Sequence, residues 1–396
     1  MHDIDIASLF APLSLDQFLT EKLGKEPYHC TGSTDRFVPL LDWDALNRLL
    51  SDRRWEYPRF RLAQNGQDLP PASYSTPGPS GADHSVLSVR EIACRVRGGA
   101  SLVVDAIDEI WPPVRSLAED LEHALGEYVK VNAYASWTQE PGFDHHWDDH
   151  DVIVLQVSGS KRWSLFGEAR RYPLRRDVDP NLSPPCGEVA TLDIKAGDVL
   201  HVPRGHWHAV STIEGPSLHL TVGITQRTAV DYLHWLADHL TSNEFMRQPL
   251  PRYSSADLAT HSARIADLVA RESEASGSIN AFLAEMDALA PARQRFSLPS
   301  VDRDAVAESL VGAQVVWVPS RFRVYDESQT VTVRANGLCW RFHEEAQPLI
   351  RLLTSRTPVA VDDLARSGDD VRTRFLLADL IMEGLVTIVA DVRDQP

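Results

Sequence analysis

A chain of 396 residues with 39 Lys and Arg against 56 Asp and Glu carries a formal charge of −17, which disfavours nucleic acid or an anionic membrane as its main partner, because phosphate binding draws on surplus cations. Its length exceeds one ordinary core, so two or three domains are expected; no apolar run is long enough for a transmembrane helix, and the amino end MHDIDIASLFAPLSLDQF lacks the basic start and apolar stretch of a signal peptide, which points to a cytoplasmic protein. Cys30, Cys94, Cys186 and Cys339 are scattered and form no CxxC pair, so neither a disulfide framework nor a zinc–thiolate site is expected.

From the amino end to residue 226, short helices mix with many short apolar runs. SLDQFLTEKL and DWDALNRLL have helical spacing. SLVVDA, DVIVLQV, KRWSLF, VATLDI, DVLHVP and SLHLTVGIT read as strands punctuated by Gly, Pro, Asn and Ser, which predicts an antiparallel β core with helical decoration. The segment from Asn65 to Ser85 is rich in Pro, Gly and Ser and reads as a long mobile loop. From residue 227 to 299 the pattern turns helical in VDYLHWLADHL, DLATHSARIADLVARES and INAFLAEMDALA, and these three amphipathic helices suit packing against each other, the first domain or a second copy of the chain. From residue 300 to 396, TVTVRANGLCWRF is a hairpin turning on Asn336-Gly337, followed by three helices and a closing strand, LVTIV. That order is similar to a winged helix. Between Arg321 and Pro396, however, 10 Lys and Arg stand against 12 Asp and Glu, where a reader of DNA would be basic; a packing or dimer role fits better.

Residues 144–151, DHHWDDHD, crowd three His and four Asp into eight positions. In a strand alternate residues share a face, so His146 and Asp148 can point together while Trp147 points away. A third ligand can arrive from a returning strand, and His208 in HVPRGHWHAV is the candidate. Two His and one carboxylate suit non-haem iron(II), since three ligands leave positions for cosubstrate and dioxygen. HxD alone is weak, and a polar surface turn is the bland alternative. Rivals also remain: His145, Asp149 and His150 lie in the cluster, His201 and His206 lie near His208, and His150 shares the parity of His146. Just after the Ser158-Gly159-Ser160 turn, Lys161 can aim an ammonium into the same barrel, where a dicarboxylate cosubstrate needs a cation; Arg162 is the better candidate to face solvent.

The run NAYASWTQEPGFDHHWDDHDVIVLQVSGSKRW, followed by HVPRGHWHAV and SLHLTVGIT, resembles the JmjC-type iron and 2-oxoglutarate oxygenases, and among them the ribosomal oxygenases. The resemblance implies a double-stranded β-helix of the cupin/JmjC type with α-helical decoration (1–226), a helical dimerisation segment (227–299) and a C-terminal winged-helix-like domain (300–396). It places Fe(II) on His146, Asp148 and His208, the last rather than His206, and 2-oxoglutarate on Lys161 with help from Asn132 and Tyr134; dioxygen is the other cosubstrate. It implies hydroxylation of an Arg or His of a basic, ribosomal protein by a homodimer, with release of succinate and CO2. Glu140, Asp144, Asp149 and Asp151 are then candidates to receive a basic side chain at the mouth. Asp144 and His145 stand where the family carries small residues or Pro, so the substrate can differ. The alternatives are the same chemistry on a biosynthetic peptide or small molecule, a cupin metalloenzyme independent of 2-oxoglutarate, and a non-catalytic scaffold.

Overall fold

The computed structural model describes residues 4–78, 85–139, 143–168, 170–177, 187–275, 277–365 and 370–389. The chain divides into two compact units, Met1–Gln226 and Arg227–Pro396.

The first unit holds helices α1 (Leu15–Gln17), α2 (Trp43–Asp52), α3 (Val89–Arg97) and α4 (Pro112–Leu125). Its strands are β1 (Tyr28–Cys30), β2 (Phe60–Gln64), β3 (Gln67–Asp68), β4 (Ser75–Pro77), β5 (Ser85–Leu87), β6 (Ser101–Val104), β7 (Tyr128–Ser136), β8 (Asp151–Glu168), β9 (Ala190–Lys195), β10 (Val199–Val202) and β11 (His206–Thr225). Among the described residues nine of these strands make one antiparallel sheet, in the order β1-β10-β8-β11-β7-β6-β2-β3 with β9 beside β8. The helix ends follow from local chemistry. Ser14 and Gln17 form a reciprocal capping box, Asp42 and Ser88 cap α2 and α3, and α4 opens on Pro112-Pro113 and ends at left-handed Gly126.

β8 and β11 are 18 and 20 residues long, too long to stay straight in a domain of this size. Each bends, with register shifts across Thr212–Leu218, and β8 turns at Gly159 with φ +70°. A Cβ on Gly159 would lie 2.4 Å from the Pro216 carbonyl oxygen, so only glycine lets the two bent strands approach there. The bend lets one strand supply DVIVLQV and then KRWSLF to the same wall.

Alternation along β7 separates core from cavity. Val129, Val131, Ala133 and Ala135 are fully buried in the main apolar cluster, together with Phe10, Phe18, Leu46, Leu121 and Ile153. Tyr128, Lys130, Asn132, Tyr134 and Ser136 face an interior cavity instead. The expected loop from Asn65 to Ser85 is more ordered than its composition suggests in its described part. It begins with the tight turn between β2 and β3, and β4 pairs with β5. Residues 79–84 lie outside the described residues.

In the second unit, α5 (Ala229–Leu240), α6 (Ser255–Glu274) and α7 (Ser278–Leu289) are followed by α8 (Arg303–Ser309) and strands β12 (Gln314–Trp317), β13 (Phe322–Asp326), β14 (Thr330–Ala335) and β15 (Leu338–His343). After these come α9 (Gln347–Leu353), β16 (Val359–Ala360), α10 (Val361–Ala365), α11 (Asp370–Met382) and β17 (Val386–Val389). Asn336 and Gly337 have φ of 52° and 75°, which makes the β14–β15 hairpin a type I′ turn. No described helix is long and apolar enough to cross a membrane.

Candidate metal centre and its cavity

His146, Asp148 and His208 converge, with one ligand atom from each within 4.8 Å of the others. The means differ from the expected strand. Residues 143–150 alternate bends with irregular backbone, and only His146 pairs, in a single antiparallel bridge to His208. Its two backbone bonds, His146 N–H to the His208 carbonyl (3.1 Å) and His208 N–H to the His146 carbonyl (2.8 Å), close a separation of 62 residues. Gly205 N–H donates to the Asp148 carbonyl at 2.9 Å, which holds the other end of the HxD segment.

The imidazoles are oriented from behind. His146 Nδ1 lies 2.8 Å from the Asp144 carbonyl oxygen, and His208 Nδ1 lies 3.0 Å from that of His206. An Nδ1–H donated to a carbonyl fixes the tautomer and leaves Nε2 as the lone-pair donor, the form a metal requires. Burial, reinforced by His146, pushes the His208 imidazole down to about 4, so it is neutral. Burial alone would raise the Asp148 carboxyl, but His146, His150 and His208 more than offset this and hold it below the ordinary range. Two imidazoles and one carboxylate are a ready donor set for a divalent transition ion.

Of the rival side chains, His150 lines the same cavity without joining the donor set, and His145, Asp149, His201 and His206 are not part of the lining. His145 is bonded to Asp144 and packs edge-on to Phe166. Asp149 is bonded to His150 at 3.0 Å, and the His150 ring lies over Gly223, where a Cβ would approach it to 2.8 Å. His201 is fully buried between Asp151 (3.1 Å) and the Glu26 carbonyl oxygen (3.1 Å). His206 is half-buried opposite Glu168. Asp151 corrects the expectation of four acids at the mouth. It is wholly buried, accepts from Gly24 N–H at 2.9 Å and pairs with His201, so it ties the amino-terminal segment to the sheet. Asp144 is exposed, and Glu140 lies outside the described residues.

Around these ligands lies a cavity of about 380 Å³. Lys161 lines it, buried at 5 % exposure, and its Nζ donates to Ser136 Oγ at 3.1 Å. Among the described residues no carboxylate pairs with it, and burial pushes the amine down to about 7. Arg162 faces outward on Asp193 at 2.7 Å, while Trp163 returns to the cavity. Tyr134 is stacked on His219 with ring centres 5.1 Å apart, and burial raises its hydroxyl to about 12. Asn132 lines the cavity, but its carbonyl oxygen accepts from Ala106 N–H at 2.9 Å, bracing a left-handed residue with φ 49°.

His219, Thr212 and Arg61 also line the cavity and were absent from the sequence reading. Burial, and then the neighbouring Lys161, hold the His219 imidazole far below its usual range, so it is neutral; its Nδ1 and the Thr212 hydroxyl are buried without partners among the described residues. The signal existed in SLHLTVGIT. Leu218, Leu220, Val222 and Ile224 take one face, leaving Ser217, His219, Thr221, Gly223 and Thr225 on the other.

Residues 109–232 match the JmjC domain family model. That segment is a JmjC domain. It contains the HxD segment, Lys161, His208 and His219. Over 238 residues the chain is 26 % identical to the bifunctional lysine-specific demethylase and histidyl-hydroxylase NO66 of Drosophila persimilis, covering 56 % of this chain and 32 % of that protein. Over 131 residues it is 35 % identical to ribosomal oxygenase 2 of Rattus norvegicus, covering 32 % of this chain and 27 % of that protein. The chain thus spans about a third or less of the length of these relatives. The Escherichia coli ribosomal oxygenase YcfD superposes with a TM-score of 0.63 at 17 % identity, covering 95 % of this chain and 98 % of that one. A further YcfD structure, in complex with cobalt and 2-oxoglutarate, gives a TM-score of 0.62 at 18 % identity, with 96 % and 99 % covered. The fold is therefore a mostly β JmjC/cupin core with helices, and the matched segment carries the His-Asp-His set and most of the cavity lining.

Proposed function

We propose that the protein is an Fe(II)- and 2-oxoglutarate-dependent oxygenase that hydroxylates a protein side chain. The observation that carries this reading is the pairing of two features in one cavity: a His146-Asp148-His208 donor set and a buried Lys161 ammonium with no carboxylate partner. A buried cation without a counterion is unfavourable, and a dicarboxylate that also reaches the metal would relieve it. Lys161, with the free Thr212 hydroxyl, would hold the distal carboxylate. Tyr134 and His219 form an aromatic wall that excludes water, and Asn132 stiffens the strand beside it.

Overall, 2-oxoglutarate, dioxygen and a C–H bond become succinate, carbon dioxide and C–OH, and bound iron(II) would supply the dioxygen activation. The protein's task is to place one C–H bond beside the metal. An Arg or His of a basic ribosomal protein is the finer proposal, supported by the relatives named ribosomal oxygenase and histidyl-hydroxylase and by the charge of −17. Of the two, neutral His suits the cavity better than a guanidinium, because among the described residues Asp148 is the sole carboxylate lining it. Iron-loaded wild type is expected to form succinate from 2-oxoglutarate, more so with ribosomal proteins present, and His146→Ala to form less than about one-hundredth as much. Succinate formation that survives in His146→Ala would sink the proposal.

A homodimer built on the helical segment belongs to the same reading. Among the described residues α6 buries no side chain, and Leu233, Leu258, Ile279 and Leu283 are exposed on the three helices. Sedimentation equilibrium is expected to give twice the chain mass for wild type and a monomer for a Leu258→Glu/Leu283→Glu double variant; a monomeric wild type would reject the dimer.

A further inference from the structure

The cavity has two ends, and only one is used by the proposed cosubstrate. Lys161, Ser136 and Thr212 make the deep end. From there β7 runs past Tyr134 and Asn132 to Lys130 and Tyr128, paired residue for residue with His219, Thr221, Gly223 and Thr225 of β11. Four residues of strand, about 13 Å, separate Lys130 from Tyr134. Gly223 sits opposite Lys130 and has no side chain, so the His150 ring fills that space and makes the far wall of a channel leading to the metal ligands.

The charges along this channel are lopsided. Arg61 is committed to Asp105 at 2.7 Å and Asp68 at 2.8 Å. Lys161 belongs to the deep end. Among the described residues Asp148 is the only carboxylate in the lining, and it belongs to the ligand set; Asp149 is taken by His150, and Asp151 is buried on His201. Lys130 remains, half-buried in the lining, with no ion pair among the described residues and with Thr221 and Thr225 in the same stretch of wall. A guanidinium or ammonium entering here meets an uncompensated cation, whereas a carboxylate meets one cation and several donors.

We infer that the outer channel recognises a carboxylate of the peptide substrate on Lys130, so that the oxidised residue lies close to an Asp or Glu, or to a free chain terminus. The inference rests on the oxygenase reading and narrows its substrate. It also reconciles the two scales of charge, since an acidic surface draws in a basic protein while the channel selects an acidic residue within it.

The test is retention of a randomised pentapeptide library on full-length protein loaded with manganese(II) and 2-oxoglutarate. Wild type, Lys130→Met and Lys130→Glu are compared, and retained peptides are read by mass spectrometry. Amidated and free-acid versions of the library separate a side-chain carboxylate from a terminal one. Wild type is expected to enrich peptides bearing a carboxylate about fivefold, the size of one half-exposed ion pair. Lys130→Met should lose the preference, and Lys130→Glu should turn it toward Lys and Arg. Charge-blind retention, enrichment of basic peptides by wild type, no retention, or an unchanged preference in Lys130→Glu would each overturn the inference. Succinate formation by the same preparation with iron(II) is measured alongside, so failure of the oxygenase reading registers separately.

Discussion

Lys161→Met is expected to melt at a higher temperature than wild type near pH 6, yet to bind 2-oxoglutarate about 30- to 1,000-fold more weakly. Both effects come from one buried ammonium. Its folded-state value of about 7 lies below the ordinary 10.5, so the folded protein holds fewer protons than the unfolded chain between those limits. Below about pH 7 both states are charged, and the full desolvation penalty weighs on the fold. As pH rises from about 7 toward 10.5 the penalty is relieved. A shift of that size corresponds to on the order of 5 kcal/mol as a ceiling, enough for Lys161→Met to gain about 5 °C or more at pH 6. The gain should shrink by about pH 9.5. Removing the cation from a buried carboxylate pair costs roughly 2–4 kcal/mol, which sets the affinity loss. Thermal melts at the two pH values, with and without 2-oxoglutarate and manganese(II), measure all of this. If Lys161→Met is no more stable than wild type near pH 6, Lys161 is not an uncompensated buried cation. If binding is unchanged, the cosubstrate carboxylate lies elsewhere.

Such a balance of stability against binding was only half-legible in the sequence. Strand parity places Lys161 and Trp163 on one face and Arg162 on the other, because side chains alternate wherever a strand is regular. Sequence does not show that the ammonium is 5 % exposed and bonded to Ser136, since that depends on β7 lying across from β8. The β core and the Asn336-Gly337 hairpin could be read because local pattern and turn chemistry agree with the fold there, whereas the two strands expected on either side of Ser158-Gly159-Ser160 are one bent strand, β8. Asp151 shows the opposite case. Nothing within a few residues of it announces that a backbone N–H from Gly24 and the ring of His201 will close over it, so an acid in an acidic run looked like a mouth residue. The Asn65–Ser85 segment misled for a related reason. Its Pro, Gly and Ser content describes turns, and turns join β2 to β3 and precede β4 as readily as they make an open loop.

The histidine cluster is where sequence logic stops and a single bend decides. His146, Asp148 and His150 share parity, so a straight strand would present all three to a metal. The chain instead pairs only at His146, is held at Asp148 by Gly205 N–H, and bends, which carries His150 onto Gly223 and into a bond with Asp149. His208, brought back by β11, takes the third place. His208→Ala is therefore expected to weaken binding of manganese(II) by at least about 100-fold and to abolish succinate formation, because it removes a donor rather than a group that orients one. His150→Ala should keep metal affinity within about threefold of wild type. Manganese titration followed by electron paramagnetic resonance reads both variants without requiring turnover. A His150→Ala variant that loses the metal as completely as His208→Ala would show that the segment straightens when the ion binds and that His150 joins the donor set; retention of the metal by His208→Ala would remove β11 from it.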